Sequence, residues 1–327
     1  MALSSPAARA AGALGVLGVG AAAAAHVWAR HIEIHRYTLR ELELAILPAG
    51  TRTIRVLHIS DIHLMPDQHR KLAFLEHLGT LRPHLVINTG DNIASAASVP
   101  VLAEVLEPLL RRPGAFVLGS NDMFAPVPKN PARYLLPDPR PEGMTEPREP
   151  TLPTAQLVAQ LSAHGWKDLT NTRASIELGG LEVRLSGVDD PHLELDRMPQ
   201  QVTPASAAPA HGNVLRVGVA HAPYRRVLDS FVADGSDLIM AGHTHGGQLR
   251  LPGIGALVTN CDLPRQQARG LSDWDGVPLH VSAGMGASPY SNYRFLTPPE
   301  ATLLTWRAPE RSRRNCARLG PANVAPR

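Results

Sequence analysis

Cysteine is nearly absent from this chain of 327 residues, which has only Cys261 and Cys316. That scarcity excludes a disulfide framework and a cysteine zinc site. The pattern G-x-S-x-G is missing, so Gly119-Ser120-Asn121 is not a nucleophile elbow. A basic body is missing as well. The formal net charge is only +3, and the last stretch sets Arg307, Arg311, Arg313, Arg314, Arg318 and Arg327 against Glu310 alone. This tail carries more than the whole excess and leaves the body slightly acidic. The high pI therefore describes a solvated end, and no specific nucleic-acid binding is expected. No internal repeat is visible.

Charge is also missing from residues 10–29, which contain no Lys, Arg, Asp or Glu. The run is about the length that spans a bilayer, although Ala and Gly make its insertion energy marginal. Trp28 and Arg30 suit a water interface at its end. A cleaved signal peptide and a flexible leader compete with this reading, since small residues precede His26. Arg9 alone precedes the run, whereas Arg30, Arg36 and Arg40 follow it, which favours a cytoplasmic side for what comes after. The expectation is a membrane-associated protein with one N-terminal segment, residues 1–30, its side of the membrane left open.

What the chain does have is a repeated ending to its apolar runs. Residues 237–240 run into Gly242-His243-Thr244-His245-Gly246-Gly247. Residues 54–60 run into Asp61-Ile62-His63, and residues 85–89 into Gly90-Asp91-Asn92. Residues 115–118 run into Gly119-Ser120-Asn121-Asp122, and residues 215–220 into His221. Each run reads as a buried strand. Ligands of open α/β sheets bind beyond the carboxyl ends of the strands, and histidine is the commonest metal ligand among side chains. Five strands that deliver Asp, His and Asn to one edge point to a metal site.

The rest alternates in the manner of a layered α/β protein. Residues 33–46 alternate imperfectly, turn at Pro48-Ala49-Gly50 and return as residues 53–60, which predicts a hairpin. Helical spacing covers residues 67–81, 98–110, 154–164 and 227–233. Short strands joined at Gly179-Gly180 follow within residues 166–185, and residues 279–283 and 301–306 close the domain. Residues 123–153 form a proline-rich insert rooted at the Asn121 loop, read either as a lid or as a surface insertion. The main domain is expected over residues 31–307, with a basic, disordered tail over residues 308–327.

The order D-x-H, G-D, G-x-N-D, a lone His and G-H-T-H resembles the calcineurin-like metallophosphoesterases over residues 54–248. The resemblance implies an α/β fold with a two-layer mixed β-sandwich core flanked by helices. It also implies two divalent ions, with Asp61, His63, Asp91 and His245 on the first and Asp91, Asn121, His221 and His243 on the second. The mixed nitrogen and oxygen ligands suit Mn, Fe, Zn or Ni. Such ions clamp an in-line displacement at phosphorus and lower the pKa of a bound water, so the expected nucleophile is a metal-bound hydroxide. The substrate class is a phosphomonoester, phosphodiester or pyrophosphate, with a lipid-linked ester suited to a membrane segment.

One position departs from the family pattern. The usual G-N-H continues with Asp or Glu, and its His assists the leaving group; here Asp122 follows Asn121. Asn121 and Asp122 are therefore the candidate catalytic residues: either Asp122 has a raised pKa, or another group supplies the proton, or the leaving group needs no help. The alternative is a metal-binding module of the same fold with little turnover. Arg294 is read either as a phosphate clamp or as part of a surface salt bridge. His58, His84 and His164 fit no ligand slot and are read as structural.

Overall fold

The computed structural model describes residues 18–128, 149–200 and 213–309. The alternation near the start makes strand β1 (Thr38–Ala45), and the first motif-bearing run makes β2 (Ile54–Ile59). The expected hairpin between them does not form. The closing strand β14 (Glu300–Arg307) lies in between, parallel to β1 and antiparallel to β2. Burial explains the order. β14 is buried along most of its length, with Leu304 and Trp306 sealed inside. β1 exposes alternate polar residues and suits an edge.

Beyond β2 the first sheet continues with β3 (Leu85–Asn88), β4 (Gly114–Phe116) and β5 (Lys167–Asp168), all parallel. The second sheet runs in the order β12 (Gly270–Trp274), β13 (Val277–Val281), β9 (Leu238–Ala241), β8 (Val214–Val219), β7 (Leu181–Gly187) and β6 (Arg173–Leu178). β6 and β7 form the expected hairpin across Gly179-Gly180. A short ribbon of β10 (Arg250–Leu251) and β11 (Gly255–Ala256) lies outside both sheets.

The sheets face each other. Val56, Leu85, Ile87, Leu304 and Trp306 of one pack with Val183, Val217, Val219, Leu238 and Met240 of the other. Helices α1 (His69–Gly79), α2 (Ser98–Leu110) and α4 (Thr154–Ser162) bring Leu75, Leu102, Leu106 and Leu157 to the outer face of the first sheet. Helix α5 (Arg225–Ala233) brings Val227, Leu228 and Phe231 to the outer face of the second. A single turn, α3 (Ser120–Met123), follows β4. The result is a two-sheet core flanked by helices, as expected. Of the motif-bearing strands, β3, β4 and β9 are buried throughout, as strands covered on both faces must be, and β2 and β8 are buried at the ends that lead to the motifs.

The membrane segment requires correction. Among the described residues no helix is long and apolar enough to cross a membrane. The helix of residues 18–27 widens into a π turn (Trp28–Ile32) and then tightens into a 3-10 turn (Glu33–His35). Its end is docked on protein. Ala29 O accepts from Arg294 N at 2.9 Å, and Trp28 Nε1 donates to Glu33 Oε2 at 2.7 Å. Ala29, Glu33 and Ile34 are buried. An absence of charge marked the run, but its small side chains supply little apolar area and its end serves the domain. Residues 1–17 lie outside the described residues.

The middle of the proline-rich insert, residues 129–148, and the tail beyond residue 309 also lie outside them. The two ends of the insert are tied together at its root. Thr151 N and Leu152 N both donate to Met123 O, and Ala125 N donates to Thr151 Oγ1.

Close packing of α5 on the second sheet depends on Gly218. A Cβ there would stand 2.6 Å from Cγ of Phe231. Overpacking of this kind costs about 1–3 kcal/mol. Gly218→Ala is expected to lower unfolding stability by that amount, read as a lower urea midpoint at unchanged slope, while bound metal per folded chain is unchanged. An unchanged midpoint would show that the ring yields freely.

Candidate metal centre

The candidate ligands gather where the parallel strands end. Asp61 and His63 follow β2, Asp91 follows β3, and Asn121 lies in α3 just beyond β4. His221 follows β8, and His243 and His245 follow β9. Five of them, Asp61, His63, Asp91, His243 and His245, have positive φ between 43° and 68°. Non-glycine residues rarely adopt this region, and such strain persists only where the surroundings enforce it. The extended strands enforce it from one side. Close backbone approach enforces it from the other, since a Cβ on Gly119 would strike Asp91 Oδ1.

Ligand-type atoms converge in two groups, Asp61, His63 and His245, and Asp61, Asp91 and His221, each within 4.8 Å. Asp91 Oδ2 lies 3.4 Å from His63 Nε2 and 3.5 Å from His221 Nε2. His245 Nε2 lies 3.8 Å from Asp61 Oδ1, and His243 Nδ1 lies 3.3 Å from His221 Nε2. Asn121 donates to Asp91 twice, from N to Oδ1 at 2.8 Å and from Nδ2 to Oδ2 at 2.7 Å. Thus all seven expected ligands meet at one place.

The residues fit a divalent metal. Asp61 Oδ1 and both ring nitrogens of His63 are buried without a hydrogen-bond partner. Buried polar atoms are otherwise almost always paired. The outer bonds of two other histidines also aim nitrogens inward. His221 Nδ1 pairs with Thr89 O at 2.7 Å, which leaves Nε2 for the centre. His243 Nε2 pairs with Asn260 O at 3.0 Å, which leaves Nδ1.

Electrostatics agree with a centre that wants cations. Burial pushes the Asp61 carboxyl up to about 6. Burial acts on Asp91 in the same sense, but His221 and His63 outweigh it and hold Asp91 well below the carboxylate range. His221 is held well above the imidazole range by Asp91, against its burial. Burial pushes His63 down to about 4 and holds His245 well below its ordinary value.

Asp122 faces away from this centre. It is 0% exposed, and its carboxylate accepts from the backbone N–H of Asp91, Asn92 and Gly119 and from Asn92 Nδ2. Four donors lock the Asp91 turn to the start of α3. Burial, with the neighbouring Asp91 charge, pushes the Asp122 carboxyl up to about 7, as expected of a raised carboxyl, while the four donors give it the place of a brace. Asn121 is the residue of this pair that faces the ligands.

Other expectations shift too. Arg294 is neither a surface salt bridge nor free to clamp phosphate. It is 1% exposed, and its guanidinium donates to the carbonyls of Ala283, Gly286 and Thr297. Lys71 likewise pins the D-x-H turn, donating from Nζ to Ile62 O at 2.6 Å and His63 O at 3.1 Å. His84 accepts from Arg55 N at 2.9 Å, and His164 is exposed at the end of α4. Ser60, Thr89, Asp190, His192 and Asn260 surround the centre without having been singled out. Hydroxyls and carbonyls carry no distinctive sequence signal. The Asp190-Pro191-His192 turn after β7 does sit at a strand end, and the His192 ring lies 4.8 Å from that of His243.

Two predictions follow from this geometry. Asp91→Ala is expected to lose most bound metal, read by elemental analysis, because Asp91 touches a histidine of each group; full metal content would refute its place. The second concerns Asp190, whose carboxyl burial pushes from 3.8 up to about 7. In the chelated protein the folded chain keeps a proton there that the unfolded chain loses. Stability should therefore fall as pH rises from 3.8 to about 7 and level off above. The slope is at most about 1.4 kcal/mol per pH unit for one group. Asp190→Asn should make that slope shallower in urea titrations, and an unchanged slope would refute the assignment.

Comparison with known proteins places this geometry in context. The calcineurin-like phosphoesterase family matches residues 54–247. The Bacillus subtilis (strain 168) protein YpbG is 27% identical over 297 residues, covering 88% of this chain and 97% of that one. The metallophosphoesterase YkuE of the same organism is 24% identical over 311 residues, covering 90% and 94%. Among solved structures, the phosphopantetheinyl hydrolase PptH of Mycobacterium tuberculosis shares 14% identity at a TM-score of 0.38, covering 78% of this chain and 98% of that one. The purple acid phosphatase PPD1 of yellow lupin shares 12% at a TM-score of 0.35, covering 61% and 39%.

Proposed function

We propose that this chain, which belongs to the calcineurin-like phosphoesterase family, hydrolyses a phosphate ester at a centre of two divalent ions. Asp61, His63, Asp91 and His245 would hold one ion, and Asp91, Asn121, His221 and His243 the other. One observation carries this reading: Asp91 Oδ2 lies 3.4 Å from a histidine of the first set and 3.5 Å from a histidine of the second. The two compact groups of ligand atoms share Asp61 instead. We assign the bridge to Asp91 because its Oδ2 alone lies within 3.5 Å of a histidine of each set. Ions bound there supply Lewis-acid activation of water and neutralise charge at phosphorus.

The chain's own residues set the limits of that chemistry. Asn121 fixes the bridging carboxylate by two bonds, and the Asp122 brace fixes the turn that carries it. Asp122 is committed to four donors and supplies no proton to a leaving group. The favoured substrates are then esters whose leaving group departs without one. A lipid-linked substrate has lost its support, because no helix among the described residues is long and apolar enough to cross a membrane.

The test is a panel of aryl and alkyl phosphate mono- and diesters with Mn, Fe, Zn or Ni. Chelation should abolish turnover and metal should restore it. General acid help is worth about two to four powers of ten, so aryl esters should outpace alkyl esters by a comparable factor. Turnover indifferent to chelator would refute the reading. Metal binding with no turnover above a His243→Ala control would favour a metal-binding module instead.

A further inference from the structure

His58 and His280 are both fully buried and come from different sheets, β2 and β13. Their Nδ1 atoms lie 2.8 Å apart. His58 Nε2 lies 3.0 Å from Thr89 Oγ1, Thr89 Oγ1 donates to Ser60 Oγ at 2.6 Å, and Ser60 Oγ donates to Asp61 Oδ2 at 2.5 Å. We infer that His280, His58, Thr89 and Ser60 form a one-way hydrogen-bond chain that positions the Asp61 carboxylate for its metal. The inference rests on the reading of Asp61 as a ligand.

Proton counting fixes the direction. An ionised carboxylate only accepts, so the single hydroxyl proton of Ser60 goes to Asp61. Ser60 then accepts from Thr89, whose one proton is thereby committed. Thr89 can only accept from His58, so His58 carries its proton on Nε2. Burial holds both imidazoles below their ordinary pKa, and both are neutral. The bare Nδ1 of His58 must therefore accept from Nδ1–H of His280. That leaves Nε2 of His280 bare, and it is buried without a partner. Every proton in the chain has one place.

The chain ends on a choice between two oxygens. Asp61 Oδ2 accepts from Ser60 Oγ and, at 3.0 Å, from His243 N. Asp61 Oδ1 has no hydrogen-bond partner and lies 3.8 Å from His245 Nε2. Holding Oδ2 back leaves Oδ1 as the oxygen that would meet an ion bound beside His63 and His245. Outer bonds of this kind orient ligands, and their loss typically weakens metal affinity about 10–100-fold. His58 is thus a positioning residue, beyond the structural part its sequence suggested.

The experiment uses the full chain. Long-range 15N NMR of the metal-free protein should show His58 protonated at Nε2 and His280 at Nδ1. Calorimetric titration with Mn²⁺ should show Thr89→Val weakened by about 10–100-fold, with Thr89→Ser restored to wild type. His280→Asn, which keeps a donor at that position, should bind better than His280→Leu. The opposite His58 tautomer would overturn the chain. So would wild-type affinity in a folded Thr89→Val, since a purely structural hydroxyl would lower the thermal midpoint and leave affinity alone. Failure of the wild type to bind Mn²⁺, Zn²⁺ or Ni²⁺ would instead refute the metal centre, and the tautomers would still decide the chain.

Discussion

A carboxylate that must stay charged while almost entirely shielded from water sets the terms for this molecule. Asp91 is 2% exposed. A charge in that position is costly unless cations or donors surround it. The structure supplies both. His63 and His221 approach one of its oxygens, and Asn121 donates to both oxygens. Each of these partners lies at the end of a different strand, so the sheets must be assembled before the charge is satisfied. Site formation and core formation are one event.

The same constraint explains the strained backbone. Ligands reached from the ends of parallel strands must turn back sharply to face one another, and five of seven do so at positive φ. Each such residue costs of order 1 kcal/mol or more. The buried strands around them offset that cost, and bonds to the turns themselves help. Lys71 holds the carbonyls of Ile62 and His63, and Asp122 holds the amides of Asp91 and Asn92. Asp122 thus matters to the centre through the turn it braces.

Membership of the calcineurin-like phosphoesterases brings the hydrolase class and the dependence on divalent metal. Within that class this chain is distinguished by what stands beyond Gly119. Asn121 donates to both oxygens of Asp91, and the carboxylate of the next residue is held by four donors of the Asp91 and Gly119 turns.

Much of this was legible in the sequence, for a physical reason. A strand buried on both faces must be apolar along its length, and the residue that breaks the run announces itself. Asp61, His63, Asp91, His221, His243 and His245 all stand at such breaks, so the candidate ligands and the layered core could be picked out from local pattern. What pattern does not carry is which distant segment completes a surface. The insertion of β14 between β1 and β2, and the docking of Ala29 against Arg294, depend on apolar area buried across hundreds of residues. Local pattern also leaves open which way a polar side chain turns. Asp122 looked like a misplaced acid until its four donors were in place. His58 looked inert until the fold set it against His280, which lies 222 residues away along the chain. A hydrogen bond is decided by direction and distance, and only the assembled sheets fix those.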